Sequence, residues 1–202
     1  MPQVALNSSR SGCTLNLAIG TEPLAQLLLL DACTEDLVRI EHLMQFYNHD
    51  LSEWCPIEFG DSGLYNLRPK AQYWARPSVR PYLARINGEL AGFAVVDEEL
   101  LDAHSDFNLG YFFLARRYRG RGLAQDMARQ IFNRHEGQWE VYFIANNQPA
   151  ARFWPKAIGQ VSGEGVKVQN IVRDEMACRL YMFSIRALGE LQSRLKPCPD
   201  SS

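Results

Sequence analysis

The sequence lacks an apolar run long enough to cross a bilayer, a C-x-x-C pair, an internal repeat, a low-complexity tract and any sizeable net charge. Each absence removes a class of protein. The five cysteines (13, 33, 55, 178 and 198) are odd in number and widely spaced. That argues against a disulfide scaffold or structural zinc site and for a reduced compartment. Lys and Arg total 21 against 23 Asp and Glu, a formal charge of −2. Such a chain has no global field to gather nucleic acid or anionic membrane, so any basic site must be local. Without repeats a solenoid is excluded. Leu27–Leu30 followed by Asp31-Ala32-Cys33 imitates a lipoprotein cleavage site. However, Pro23 opens the run, Asp31 stands where a small or apolar residue belongs, and only Arg10 supplies charge upstream. The run is too short to span and reads as a buried strand. A cytoplasmic protein is expected.

What is present is globular composition, 47% hydrophobic and 22% charged over 202 residues, enough for one ordinary domain. Residues 1–22 read as a loop-like leader in which Thr14 to Ile19 would add an edge strand. The domain proper is expected over 23–187 and a short tail over 188–202. Leu24 to Asp31 reads as a strand. Thr34 then caps a helix with acids in its first turn, carrying Leu37, Ile40, Met44 and Tyr47 at helical spacing to about Asn48. Asp50 to Pro69 is irregular, and Lys70 to Ala75 holds a helical turn or two. Pro81 to Ile86 and Glu89 to Val96 flank Asn87-Gly88, the favoured pair for a tight hairpin. A strand at Leu109 to Ala115, a helix at Leu123 to Phe132, a strand at Trp139 to Ala145 and a helix at Pro149 to Ala157 follow. Strands near Val166 to Val172 and Cys178 to Ile185 close the order. The fold class is α/β (α+β) with a mixed sheet.

The informative segment is Phe112 to Ala124, FFLARRYRGRGLA. A strand runs into Arg116, Arg117, Tyr118 and Arg119, then Gly120-Arg121-Gly122, and a helix begins at once. The glycines let the backbone bend and approach a ligand, while first-turn amides point outward unpaired. Such a helix start attracts phosphate, and four arginines in six positions add counter-charge. The segment lacks the Gly-Lys-Ser/Thr ending of the triphosphate-binding loop and does not have the G-x-G-x-x-G spacing. A pyrophosphate held without magnesium fits better. Two other readings stand beside this one: a solvated basic face at a helix start, and a nucleic-acid contact. The net charge of −2 and the lack of a second basic cluster weigh against the latter.

Arg117-x-x-Gly120-x-Gly122 resembles the R/Q-x-x-G-x-G/A signature of the GNAT superfamily of N-acetyltransferases. About 30 residues on, Asn147-Gln148-Pro149-Ala150-Ala151-Arg152-Phe153-Trp154-Pro155-Lys156 is similar to that superfamily's second motif, N-x-x-A-x-x-F-Y-x-K. Both motifs fall on the right elements, and the element order from Leu24 to Ile185 agrees over about 80% of the chain. In particular the chain resembles a poorly characterised bacterial subgroup of predicted acetyltransferases with an FFxxRRYRxxG pattern. The resemblance implies a mixed sheet of six to seven strands flanked by about four helices. It also implies acetyl-CoA as co-substrate with no metal, a primary amine of a small molecule or protein as acceptor, and a monomer or homodimer.

By the same resemblance, the amides of Gly120, Arg121, Gly122, Leu123 and Ala124, with Arg117 and Arg119, would hold the pyrophosphate. Backbone of Phe113, Leu114 and Ala115 would bind the pantetheine arm in a gap opened by a bulge between the fourth and fifth strands. Asn147 would bond the same arm, and Phe153 and Trp154 would line its wall. From the residues alone, Asn147 reads equally as a helix cap and Phe153 as core packing.

The expected chemistry is direct attack of an amine on the thioester in a ternary complex. A free amine of pKa ~10.4 must first lose a proton to a base, and the Leu114 N–H is the candidate oxyanion donor. Two departures bear on catalysis. Trp154 replaces the tyrosine that in many relatives protonates the leaving thiolate, and indole is far too weak an acid for that. A thiol of pKa ~8.5 nevertheless leaves tolerably as thiolate. Tyr111 stands where the subgroup carries a Glu. Tyr111 and Asp106 are the candidates for proton transfer, with His104 beside them. Around the acceptor, Tyr47, Trp54, Tyr73 and Trp74 are aromatic, and Glu53, Glu58 and Asp61 are acidic. That suits a small amine held by cation–π contact. The alternative to an enzyme is an acyl-CoA-binding or regulatory domain that kept the cofactor motif alone.

Overall fold

The computed structural model describes residues 25–67, 70–163 and 165–186. The leader, the Thr14–Ile19 strand and the tail at 188–202 lie outside those residues. β1 (Leu27–Asp31) leads through a single 3-10 turn into α1 (Leu37–Leu51), and α2 (Ala71–Trp74) follows. β2 (Arg80–Ile86), β3 (Glu89–Asp97) and β4 (Phe107–Leu114) come next, then α3 (Leu123–Phe132), β5 (Gly137–Ile144) and α4 (Gln148–Gly159). β6 (Lys167–Arg173) and β7 (Met176–Ile185) end the described chain. The seven strands form one sheet in the order β1-β2-β3-β4-β5-β7-β6. All neighbours are antiparallel except β4 and β5, which are parallel. Among the described residues this is a mixed α/β sheet with four α-helices, as expected.

Periodicity explains how the two faces are covered. Ile40 and Met44, fully buried on α1, pack with Leu83, Phe93 and Val95 on one face. Met127, Ile131 and Phe132 of α3 pack with Trp139 and Phe183 on the other. Phe132 meets Trp139 edge-on at 4.9 Å, the favoured aromatic geometry. Thr34 does not cap α1. Cys33 caps the preceding 3-10 turn, its N–H donating to Asp36 Oδ2 at 3.2 Å; α1 starts behind Asp36, without a side-chain cap bond, and runs on to Leu51.

The Asn87-Gly88 hairpin forms with both residues at positive φ (51° and 83°). The β6–β7 turn uses Asp174 and Glu175 at φ 47° and 63°. No glycine marks that turn.

One irregularity positions the site. Val95 pairs with Tyr111 but Val96 with Leu109, so Gly110 is an extra, unpaired residue in β4. A Cβ on Gly110 would lie 2.3 Å from Asp97 Oδ2. Asp97 is buried there, accepting from Tyr73 Oη (2.5 Å) and Asn108 Nδ2 (2.8 Å). Past the bulge, β4 and β5 no longer pair: their ladder holds only Phe107 with Trp139 and Asn108 with Glu140. The two strands form a fork.

Candidate active site

The fork exposes backbone. Ala115 N–H donates to Ala91 O at 2.8 Å. Antiparallel pairs alternate between bonded and non-bonded. The register therefore turns the amides of Phe113 and Tyr111 toward β3 and those of Phe112 and Leu114 toward the gap. Of the three residues expected to bind an extended arm, Leu114 alone presents its N–H to the fork. Ala115 and Phe113 face the neighbouring strand, and Phe112, which the sequence reading passed over, joins Leu114. The Leu114 carbonyl on the same side accepts from Arg119 Nε at 2.7 Å.

At the mouth of the fork stand Gly120 and Gly122, at φ 77° and 79°, each with open space where a Cβ would be. Gly122 caps α3, and the first helical bond is Asp126 N–H to Gly122 O at 3.0 Å. The amides of Leu123, Ala124 and Gln125 thus have no acceptor within the helix. Outward amides behind a clear, left-handed glycine turn fit a pyrophosphate.

The arginines are more engaged than the sequence suggests. Arg116 Nη2 meets Asp50 Oδ1 at 2.6 Å and Arg119 Nη2 meets Asp50 Oδ2 at 2.5 Å. Arg117 meets Glu89 at 2.9 Å over the Tyr118 ring, while Arg121 enters no ion pair with the described residues. Asp50, on the last turn of α1, therefore ties that helix to the Arg116–Arg119 segment before α3. Burial raises the Asp50 carboxyl, but the hydrogen bonds and charges of Arg119 and Arg116 outweigh it and hold it below the usual carboxylate range. A depressed native pKa gives stability that is complete above the unfolded value of ~3.9 and lost as pH falls through the native one. Asp50→Asn is thus expected to lower stability at pH 7 and to flatten the loss between about pH 4 and pH 2. Urea denaturation at both ends of that window measures this. An unchanged acid slope would remove Asp50 from the account.

The fork opens into a cleft of about 680 Å³, walled by the end of α1, the start of α4 and the β6–β7 turn. Asn147 lines it and caps α4, its Oδ1 accepting from Ala150 N–H at 3.0 Å. Phe153 stacks on Phe112 with centroids 5.6 Å apart, and the buried Trp154 meets Phe112 edge-on at 5.1 Å. These rings form the wall on the α4 side. Leu114, Arg119, Gly120, Ala124, Asn147, Phe153 and Trp154 are thus brought together.

Tyr111 and Asp106 are not brought to the cleft. Tyr111 packs against Tyr47 at 5.5 Å, and its hydroxyl accepts from Lys70 Nζ at 2.6 Å. Asp106 sits at the closed end of the fork, its carboxylate accepting from Gln138 N–H at 2.8 Å. Among the protic groups that do line the cleft are Glu53, Tyr47 and Tyr142, with Asp50, Asp174, Cys55 and Cys178. Burial pushes the phenols of Tyr47 and Tyr142 above their usual range, so both stay neutral donors. Trp154→Phe is expected to leave the pH dependence of turnover unchanged, since indole carries no titrating proton. Loss of a basic limb in the pH–rate profile would contradict that.

The Acetyltransferase (GNAT) family model matches residues 41–159, over half of the chain. The chain belongs to the GNAT family. Membership supports acetyl-CoA-dependent acetyl transfer in general. Solved structures agree on the fold. An acetyltransferase from Thermus thermophilus is 16% identical with a TM-score of 0.56, covering 80% of this chain and 99% of its own. The spermidine N-acetyltransferase of Vibrio cholerae in complex with CoA and spermine is 14% identical, TM-score 0.53, covering 79% and 96%. An aminoglycoside acetyltransferase in complex with coenzyme A is 17% identical, TM-score 0.56, covering 85% and 100%. No curated protein matches by sequence. Among the described residues of this GNAT chain, no helix is long and apolar enough to cross a membrane. Nor do they gather three or more His, Cys, Asp or Glu side chains that could hold a metal ion.

Proposed function

We propose that this protein is an acetyl-CoA-dependent N-acetyltransferase acting on a primary amine by direct attack in a ternary complex. The observation that carries it is the fork: an unpaired Leu114 amide beside an open glycine turn at a helix start. The amides of Gly120 to Ala124 hold the pyrophosphate, and the gap between β4 and β5, which the Phe112 N–H faces, takes the pantetheine arm as an added strand. Arg117 and Arg121 flank the anion, while Arg119 braces Leu114 and Asp50. The acetyl thioester supplies the activated acyl group. Leu114 N–H donates to the carbonyl oxygen as charge develops on it.

Glu53, the carboxylate of the cleft that enters no ion pair with the described residues, takes the amine proton through water. Tyr47 or Tyr142 donates a hydrogen bond to the departing thiolate, the role that Trp154 cannot fill. The domain at 23–187, the resemblance to the bacterial subgroup, a cytoplasmic setting, and a monomer or homodimer without a metal or nucleic-acid partner belong to the same reading.

Incubation with acetyl-CoA and a panel of primary amines, followed by assay of free thiol, tests it. Amine-dependent thiol release is expected. CoA binding without turnover on any amine would instead support a non-catalytic acyl-CoA-binding domain, the reading that Trp154 and the placement of Tyr111 and Asp106 favour.

A further inference from the structure

On the α1 side of the fork, opposite the α4 wall, the cleft contains a guanidinium whose role the acetyl-transfer reading leaves open. Arg173, at the end of β6, is half-buried, lines the cleft, and lies over the Tyr142 ring at 5.2 Å. It enters no ion pair with the described residues, although the chain places acids nearby. Asp50 is committed to Arg116 and Arg119. Asp174, the next residue, has a partner of its own. The position of Arg173 is built in. It pairs across the ladder with Met176, and the left-handed residues Asp174 and Glu175 fix the turn. A guanidinium held by cation–π attraction over an aromatic ring is partly pre-placed, and little entropy is lost when a planar acceptor meets its N–H donors.

The cleft thus has a cation and a carboxylate, Arg173 and Glu53, each without an ion pair to the described residues, between aromatic walls that include Tyr142 and Trp54. A polycation would be repelled by Arg173, and of the lining acids Asp50 is already shared by two arginines and Asp174 has a partner. A molecule with an ammonium and a carboxylate matches both groups.

We infer that the acceptor is a small amino carboxylate, whose carboxylate is bound by Arg173 and whose amine is presented to the fork. The orientation of the amine rests on the acetyl-transfer reading, whereas the carboxylate site does not. Arg173 is a specificity residue, and charge-assisted, fork-to-carboxylate hydrogen bonds set its size of effect.

The test is calorimetric titration of CoA-saturated protein with N-acetylated amino carboxylates and their carboxamide counterparts, over a series of amine-to-carboxylate spacings. The carboxylate member of at least one pair is expected to bind about 10- to 100-fold more tightly than its carboxamide. Arg173→Met is expected to erase that difference, leaving the carboxamide within about twofold and CoA affinity unchanged, and Arg173→Lys to restore part of it. Equal affinities within every pair, absence of binding by every pair, or equal weakening of both members in Arg173→Met would each overturn the inference. Because the readout is binding, it is separable from turnover. A retained, Arg173-dependent preference with no thiol release on any amine upholds the carboxylate site and removes the transferase reading. Thiol release with amines but no such preference does the reverse.

Discussion

Gly122→Glu is expected to abolish measurable acetyl-CoA binding, a loss of at least about 100-fold in affinity. Gly122 sits at φ 79° with nothing within 4 Å of where its Cβ would be, so a side chain enters open space and not packed protein. That space lies before the free amides of α3. A glutamate there brings negative charge to the place a pyrophosphate occupies and offers its own carboxylate to those amides. The left-handed backbone costs a non-glycine residue about 1–2 kcal/mol, partly offset by an acid at a helix N-terminus. The variant should therefore fold. Gly122→Ala carries the same backbone cost without the charge, and should weaken binding by about tenfold or less. Calorimetric titration of both variants separates loss of the site from loss of the fold. Unchanged affinity in Gly122→Glu would refute the cradle.

Gly92→Ala should have the largest effect on stability. The added Cβ would lie 2.2 Å from Phe113 O and 3.1 Å from Leu114 Cα. Both are backbone atoms of β4, so no side chain can swing aside, and the two strands must part at the register that carries Leu114. A cost of about 2–4 kcal/mol is expected, seen as a fall of roughly 5–15 °C in Tm. Acetyl-CoA affinity should fall with it, because the Leu114 amide moves with the strand. A change below about 0.5 kcal/mol, the size of a neutral surface substitution, would show that this contact does not hold β4 in place.

Much of the fold is legible where chemistry is local. Asn87-Gly88 announces its hairpin because both residues tolerate positive φ, whereas Asp174-Glu175 make the same kind of turn in residues that give no such signal. The helix entrance at Gly120 to Leu123 is equally local, and its glycines do in the structure what their spacing implies. The fate of the arginines is not local. The partner of Arg116 and Arg119 is Asp50, 66 and 69 positions away, so two members of a cluster that reads as free counter-charge are engaged in holding α1 to the loop before α3.

Strand parity fails at the site for a related reason. The extra residue at Gly110 resets the alternation, so counting from Asp106 does not tell which amides reach the fork. Tyr111 thereby ends among aromatic rings and Phe112 beside the gap. Asp106 lies where β4 and β5 are still paired, at the wrong end of a strand whose opening depends on long-range pairing. Arg173 and Tyr142 come together across the sheet from segments that contain no motif.

The most direct test of the central claim is a crystal structure of the protein with CoA. The account predicts pyrophosphate oxygens on the amides of 120–124, and the pantetheine arm between β4 and β5 beyond Asn108 and Glu140. It also predicts the sulfur near the Leu114 N–H. CoA bound outside the fork, or in the fork with its pyrophosphate away from Gly120 and Gly122, would contradict it.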